Sequence, residues 1–386
     1  MNIGHAINEL IAGKDLTCLQ TEKIFRQIIL NHESQMDQGA FLAAITAKGP
    51  VSEEVAAIWK VIDEIDTNKV EVNTDCPLAE NSGTGMDAFK TFNISTVAAV
   101  VAASAGVAMA RHGSKGITSK CGTVDVAEAL GVNAESNVDK IGKSIEKCGI
   151  GLFNGMSSSV HPSGLGRILN QIHFGSVLNI AASLANPCSP VYGVRGVNDP
   201  SMIASTAEIM KSIGYRRVLV LHGFLGEDCL GIDEASTLGK TVYTEIDAFG
   251  KVTKESFYPE DLGLKRGKKE DIAALDHVER EAQRIRGILD GKGSDSARDI
   301  VALNAGLILY VTGLAQNIKK GVECALEKIE TGKCSVVSTE RGTSYPYWGT
   351  RTPDTQAATT SKARFRIIRH HAHTIRPHCL YRVAVV

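Results

Sequence analysis

From about Val70 onward, the chain alternates glycine-punctuated, alanine-rich helical stretches with short apolar runs such as RRVLVLHG (216–223) and GKTVYTEI (239–246). Such runs are long enough for a buried strand and too short for a globular helix, so the alternation dictates an α/β domain. The first 66 residues lack these runs and read as helices. In VSEEVAAIWKVIDEID (51–66), Ser52 is the expected N-cap, with Glu53 and Glu54 in the first turn. Val55, Ile58, Trp59, Ile62 and Ile65 make one apolar face, to be covered by other helices or by another subunit. Two closing helices are expected in SARDIVALNAGLILYVTG (296–313) and NIKKGVECALEKIETGK (317–333), the second ending at Gly332. The longest nearly apolar stretch, Val97 to Ala110, falls short of the roughly 20 residues of a membrane span and reads as a buried helix.

Composition narrows the class of partner. The net charge is -1 and charged residues make up 22% of the chain, so bulk electrostatics favours neither nucleic acid nor membrane as a partner. Nine cysteines are odd in number and never spaced C-x-x-C, which argues against a disulfide framework or a zinc site and for reduced thiols in a cytoplasmic setting. The N-terminus has no basic region followed by an apolar run, so no signal peptide is expected. The last 36 residues differ. They carry seven Lys/Arg against the single acid Asp354, and His370, His371, His373 and His378 cluster there. Short His-rich tracts can bind metal, but a poorly ordered basic appendage is the expectation for this composition.

The chemistry concentrates in three places. NSGTGMDAFKTFNIST (81–96) has glycines and hydroxyls directly before an apolar helix. Gly83, Gly85 and Ala88 match G-x-G-x-x-[GA], yet no acid occurs between Asp87 and Asp125 to hold a ribose, and DCPLAENS (75–82) is a poor buried strand, so a dinucleotide fingerprint is rejected. No P-loop pattern is present. Glycines still let backbone N–H groups approach a phosphate, and Asn93, Ser95 and Thr96 stand at a helix start with its unsatisfied donors. A plain turn and an ordinary N-cap are the competing reading of this stretch alone. ARHGSKGITSKCGTVDVAEALG (110–131) adds Arg111, His112, Lys115 and Lys120 among glycines and hydroxyls, cations suited to a diphosphate. In GIDEAST (231–237), Asp233 and Glu234 offer hard oxygens of the kind that bind Mg²⁺ when phosphates complete its shell, although an isolated Asp-Glu pair is more often a solvated turn.

Taken in order, GTGMD (83–87), NIST (93–96), RHGSKGITSKCGTVDVAEALGVN (111–133), HPSG (161–164), LANP (184–187), GIDEAST and RDIVALNAGLILYVTG (298–313) resemble the signatures of the anthranilate phosphoribosyltransferase family. The similarity runs from about residue 8 to 334. It implies an α/β fold of the nucleoside phosphorylase and phosphoribosyltransferase type. A small helical domain over 1–69, with a contribution from about 165–187, is followed by an α/β donor-binding domain over 70–345 and a tail over 346–386. It also implies a cleft between the domains, a homodimer built on the small domain, and transfer of phosphoribosyl from phosphoribosyl pyrophosphate to an aromatic amine.

By the same resemblance, Gly83, Thr84, Gly85, Asp87, Asn93, Ser95 and Thr96 hold the donor, with Arg111 and Ser119 completing its site. Ser95, Asp233 and Glu234 serve Mg²⁺, and His112, Ser114 and His161 border the acceptor. The chain departs from the pattern at three points: Met86 replaces a glycine, Arg111 a lysine and Ser114 an asparagine. A fourth departure bears on the acceptor. Where the family has an arginine for the anthranilate carboxylate, alignment places Leu169, with Arg167 two residues away as the substitute if the gap lies elsewhere. A hydrogen bond to a charged group contributes roughly 1.5 to 3 kcal/mol, so this position decides the acceptor by about tenfold to a hundredfold. The leading expectation is a Mg²⁺-dependent transfer to anthranilate in tryptophan biosynthesis. The alternatives are a paralogue using another aromatic acceptor, a pyrimidine nucleoside phosphorylase, and a non-catalytic nucleic-acid binder using the basic tail.

Overall fold

The computed structural model describes residues 1–116, 121–226, 230–332 and 334; the tail expected over 346–386 and Ser119 lie outside them. Four helices come first: α1 (Ile3–Ile11), α2 (Cys18–Ile29), α3 (Gln35–Lys48) and α4 (Ser52–Ile65). They bury Leu10, Phe25, Ile28, Phe41, Leu42 and Ile58 against one another, at about 1.5 to 3 kcal/mol for each large side chain. α4 starts one residue earlier than its sequence suggests. Val51 holds the N-cap position, and Glu54 reaches back to accept its N–H at 3.0 Å, so the third-position acid rather than Ser52 closes the helix start. Of the expected face, Val55, Ile58 and Ile62 are buried, while Trp59 is half-buried and donates its indole N–H to the Leu184 carbonyl at 3.0 Å.

The second part runs β1 (Leu78–Ser82), α5 (Ile94–Ser104), β2 (Ala108–Gly113), α6 (Thr123–Ala129), α7 (Val138–Cys148) and β3 (Ile150–Asn154). α8 (Leu165–Leu169), α9 (Leu178–Leu184), β4 (Tyr192–Gly196), α10 (Ile203–Ser212), β5 (Arg217–Phe224) and β6 (Gly231–Ile232) follow. The closing elements are β7 (Thr241–Ile246), β8 (Val252–Phe257), α11 (Lys269–Ile272), α12 (Val278–Leu289), α13 (Asp295–Val311) and α14 (Ile318–Glu330). The strands form one sheet in the order β3-β2-β1-β4-β5-β7-β8, with β6 on β5. β3 to β5 are parallel, and β7, the run GKTVYTEI, is antiparallel.

Two expectations need correction. The segment 75–82 was expected to make a poor buried strand, yet β1 lies centrally between β2 and β4. Its polar residues are satisfied from inside: Glu80 pairs with Arg195, both fully buried, and Asn81 bonds Arg111 and the Ser95 carbonyl. The apolar run from Val97 to Ala110 is not one helix. It ends at Ser104, turns through Gly106 at φ 104°, and becomes strand β2 at Ala108.

The sheet separates two packing layers. Alternation along β5 puts Leu219 and Leu221 against α5 and α13 on one face, and Val218 and Val220 against α10 and the N-terminal helices on the other. The helical domain thus shares its core with α8, α9 and α10, and a cleft opens where α8 and α9 meet the C-terminal ends of the parallel strands.

Candidate active site

The chain runs from β1 to β2 on one side of the sheet and returns through β4 on the other side of β1. The C-terminal ends of β1 and β4 therefore flank a topological switch point, where open α/β sheets leave a crevice. The loop Gly83–Asp87, the start of α5, the end of β2 and the turn after β6 all converge on it.

Backbone donors come from the first glycine loop. Gly85 adopts φ 68°, a left-handed conformation that favours glycine, and donates its N–H to Asp233 Oδ2 at 2.6 Å. Thr84 donates its hydroxyl toward the same oxygen at 3.1 Å, with Asn198 Oδ1 at 3.2 Å as the other acceptor in reach. A Cβ on Gly83 would stand 2.4 Å from the Asp233 carboxylate, so only glycine leaves room for this closure. Asn93 holds the N-cap position of α5 without a side-chain cap bond, and Ser95 donates its N–H to Glu234 Oε1 at 3.0 Å. The cleft therefore combines a helix N-terminus, a glycine loop and hydroxyls, the groups that bind phosphate.

Arg111 ends up beneath this cradle. Its guanidinium donates to Asn81 Oδ1 at 3.1 Å, Ser95 Oγ at 3.3 Å and Thr96 Oγ1 at 3.2 Å. Burial pulls it down to about 10, with Glu234 and Glu80 opposing, so it remains a cation at neutral pH. Thr96 does not line the cleft; its place is behind it, orienting Arg111. The second glycine loop leaves β2 with Ser114 and Lys115 and is clamped by Asp125, which accepts N–H bonds from Gly116 and Gly122 at 2.9 Å each.

Three carboxylates meet opposite the cradle. Asp233 and Glu234 follow β6, and their turn is pinned to α13 by Asn304, which accepts from Ala235 N at 2.9 Å and donates to its carbonyl at 3.0 Å. Asp87 joins them by accepting the Asp233 N–H at 2.8 Å, while its other oxygen is buried without a partner. Burial, then the Asp233 charge, pushes Asp87 up to about 9. The same two causes push Glu234 up to about 8, against the pull of Arg111. This is an acidic set short of a cation, with hard oxygen donors and an orphaned carboxylate atom, and it fits Mg²⁺. Among the described residues no three His, Cys, Asp or Glu side chains are grouped to hold a metal ion by themselves, so phosphate and water oxygens would have to supply further ligands.

The opposite wall is built differently. His112, Ser114, Gly155, Leu165, Leu169 and Leu178 face the cleft. His161 stands behind His112, with the two Nε2 atoms 3.1 Å apart. Asp66, just past α4, accepts N–H bonds from Ser163, Gly164 and Leu165 and so fixes the start of α8. The position expected of Arg167 is corrected here. It donates to Gln38 Oε1 at 2.8 Å and to the Ile28 carbonyl at 2.9 Å, tying α8 to the helical domain instead of facing the cleft. Leu165 and Leu169 are four residues apart and share one face of α8, which turns Arg167, two residues from each, to the other side.

Several residues at the site escaped sequence reasoning. Asn179 donates to the Thr84 carbonyl at 2.8 Å, and Ser183 receives Arg195 Nη1 at 2.9 Å.

The comparisons agree with this geometry. Residues 4–64 match the helical bundle domain, and residues 75–335 the a/b domain, of the glycosyl transferase family. Anthranilate phosphoribosyltransferases are similar over most of the chain. The Persephonella marina enzyme is 32% identical, covering 85% of this chain and 94% of its own. The Methanococcoides burtonii enzyme is 35% identical, covering 85% and 90%. The crystal structure of the Thermus thermophilus enzyme superimposes with a TM-score of 0.74 at 30% identity, covering 85% of this chain and 95% of that one. The Saccharomyces cerevisiae enzyme, solved in complex with PRPP and Mg, gives 0.73 at 22% identity, covering 86% and 94%, and bears on the fold alone. This chain belongs to the anthranilate phosphoribosyltransferase family of glycosyl transferases.

Proposed function

We propose that this protein transfers the phosphoribosyl group of phosphoribosyl pyrophosphate to anthranilate, releasing pyrophosphate, as a step of tryptophan biosynthesis. The observation that carries the reading is one cleft in which a glycine loop, the N-terminus of α5 and a cation-deficient carboxylate set face each other. Gly83, Thr84, Gly85, Asn93 and Ser95 bind the donor's phosphates, and Thr96 and Ser95 hold Arg111 beneath them. Ser119 has its place in the same site by family resemblance. Asp87, Asp233, Glu234 and Ser95 hold Mg²⁺, which when bound neutralises charge on the pyrophosphate leaving group.

The chain's own work is then electrostatic and positional. Fixed N–H and hydroxyl donors favour the separated pyrophosphate, and the half-buried cleft strengthens each contact. An arylamine is already a neutral nucleophile, so seating it against ribose C1 between His112, Ser114 and the leucines of α8 and α9 is the remaining task. A homodimer through the helical domain is supported by Ile11, Leu19 and Met36, which are 72%, 76% and 86% exposed there. The cytoplasm suits the described cysteines, which form no disulfide, and no described helix is long and apolar enough to cross a membrane.

A second reading of the acceptor is favoured by one observation: Leu169 faces the cleft and Arg167 does not. A wall of this kind suits an aromatic amine without a carboxylate. Steady-state turnover of anthranilate against plain anilines, with phosphoribosyl pyrophosphate and Mg²⁺ saturating, tests both readings. Pyrophosphate release with anthranilate supports the first, release with anilines alone supports the second, and release with neither removes both acceptors.

A further inference from the structure

The peptide unit between Thr84 and Gly85 is held from both walls of the cleft. Its carbonyl accepts from Asn179 Nδ2, on α9, at 2.8 Å, and its N–H donates to Asp233 Oδ2, on the acidic turn, at 2.6 Å. In a planar trans unit these two groups point in opposite directions, so each bond fixes the aim of the other. Gly85, at φ 68°, has no Cβ to resist rotation of this unit, and the two bonds supply the restraint that the residue itself lacks.

The orientation of the Asn179 amide is settled by its partners. Its Oδ1 accepts from the Ser176 N–H at 2.9 Å, and a backbone N–H only donates; its Nδ2 faces the Thr84 carbonyl, which only accepts. One end of the side chain therefore closes the turn before α9, and the other reaches across to the glycine loop. α9 is itself tied back to the strand that carries this loop. Ser183 Oγ donates to the Asn179 carbonyl at 2.7 Å, with the Ile180 carbonyl at 2.9 Å as the other acceptor in reach, and it accepts from Arg195 Nη1 at 2.9 Å. Arg195, fully buried on β4, pairs with Glu80 of β1. Glu80 and Thr84 are four residues apart and both are connected to α9, so the contacts close a ring from β1 through the loop to the helix and back.

Resting on the phosphoribosyl-transfer reading, we propose that Asn179 is a positioning residue for the donor: from the acceptor wall it aims the Thr84–Gly85 peptide and, through it, the phosphate loop. Asn179 lines the cleft with Leu178, Ala182 and Ser183, so the loop proposed for the donor and the wall proposed for the acceptor are held in one frame. The bond exists before the donor arrives. It removes loop freedom that binding would otherwise have to remove, and this favours the bound donor and the transition state alike. Its loss therefore raises KM and spares kcat.

Asn179→Asp separates the two ends of the side chain, because it keeps an acceptor for Ser176 and removes the donor to Thr84. In the free full chain, hydrogen exchange at the Gly85 amide is expected to quicken by more than about tenfold in both Asn179→Asp and Asn179→Ala. Exchange at Ser176 is expected to stay near wild type in the Asp variant and to quicken in the Ala variant. Asn179→Ala adds no charge to the cleft and so reports on the donor. Its KM for phosphoribosyl pyrophosphate is expected to rise about threefold to tenfold, the worth of one neutral hydrogen bond, with kcat within about twofold. Gly85 exchange as slow in both variants as in the wild type overturns the proposal, and so does an unchanged KM in Asn179→Ala. A wild type that binds no phosphoribosyl pyrophosphate with Mg²⁺ in calorimetry overturns the underlying reading and the proposal with it. Gly85 exchange, measured without ligand, tells that failure from a failure of the peptide restraint.

Discussion

Asp233 and Gly85, 148 positions apart, are joined by a backbone N–H donated to a carboxylate oxygen at 2.6 Å. The contact closes the glycine loop onto the acidic turn, so the groups proposed for phosphate and for Mg²⁺ are tied together by one bond.

Asp233→Asn keeps an acceptor for Gly85 and Thr84 but removes one of the carboxylates assigned to Mg²⁺. Turnover is expected to fall by on the order of 100-fold or more. The thermal midpoint is expected to hold or rise, since a like charge leaves a buried acidic set. Near-normal turnover would remove the metal role of Asp233.

Gly83→Ala drives a methyl group to 2.4 Å from the Asp233 carboxylate. Overpacking of this kind costs about 1 to 3 kcal/mol, read as a lower denaturant midpoint. Because the displaced carboxylate carries the loop with it, KM for phosphoribosyl pyrophosphate should rise by more than about tenfold. An unchanged KM would separate the loop from the donor site.

Metal-free stability should depend on pH through the carboxylates. Asp87 and Glu234 have folded pKa values raised to about 9 and about 8, above their ordinary values of 3.8 and 4.5, so their stabilisation is fully present below those ordinary values and is lost progressively as pH rises to 8 and 9. His112 and His161, depressed by burial, act in the opposite sense, but only below about pH 6.5. Between pH 7 and about 8.5 the denaturant midpoint of the metal-free protein should therefore fall, and both Asp233→Asn and saturating Mg²⁺ should flatten the decline. A pH-independent midpoint in the metal-free wild type contradicts the raised values.

Leu169→Arg places a cation on an acceptor wall that has none from α8. It is expected to raise kcat/KM for anthranilate by about tenfold to a hundredfold, the worth of one hydrogen bond to a charge. Unchanged kinetics would mean that the acceptor's carboxylate is recognised elsewhere in the cleft.

The candidate site was indicated by the family resemblance, and its parts are local in the sequence. Glycine spacing, a helix start and an Asp-Glu pair each carry their chemistry within a few residues, and the structure brings Gly85, Ser95, Asp233 and Glu234 together. Strand β1 was misread because its polar residues are satisfied by distant partners, Glu80 by Arg195 and Asn81 by Arg111. No periodicity within a strand reports partners 115 and 30 residues away. Arg167 was misplaced for a related reason: position in the chain was taken for position in the cleft, whereas helical phase points it toward Gln38.

Loss of anthranilate fluorescence with matched release of pyrophosphate, in the presence of phosphoribosyl pyrophosphate and Mg²⁺, tests the proposed reaction most directly. The expected result is stoichiometric turnover that stops when EDTA removes the metal. Phosphoribosyl pyrophosphate bound in calorimetry but never consumed with anthranilate would contradict it.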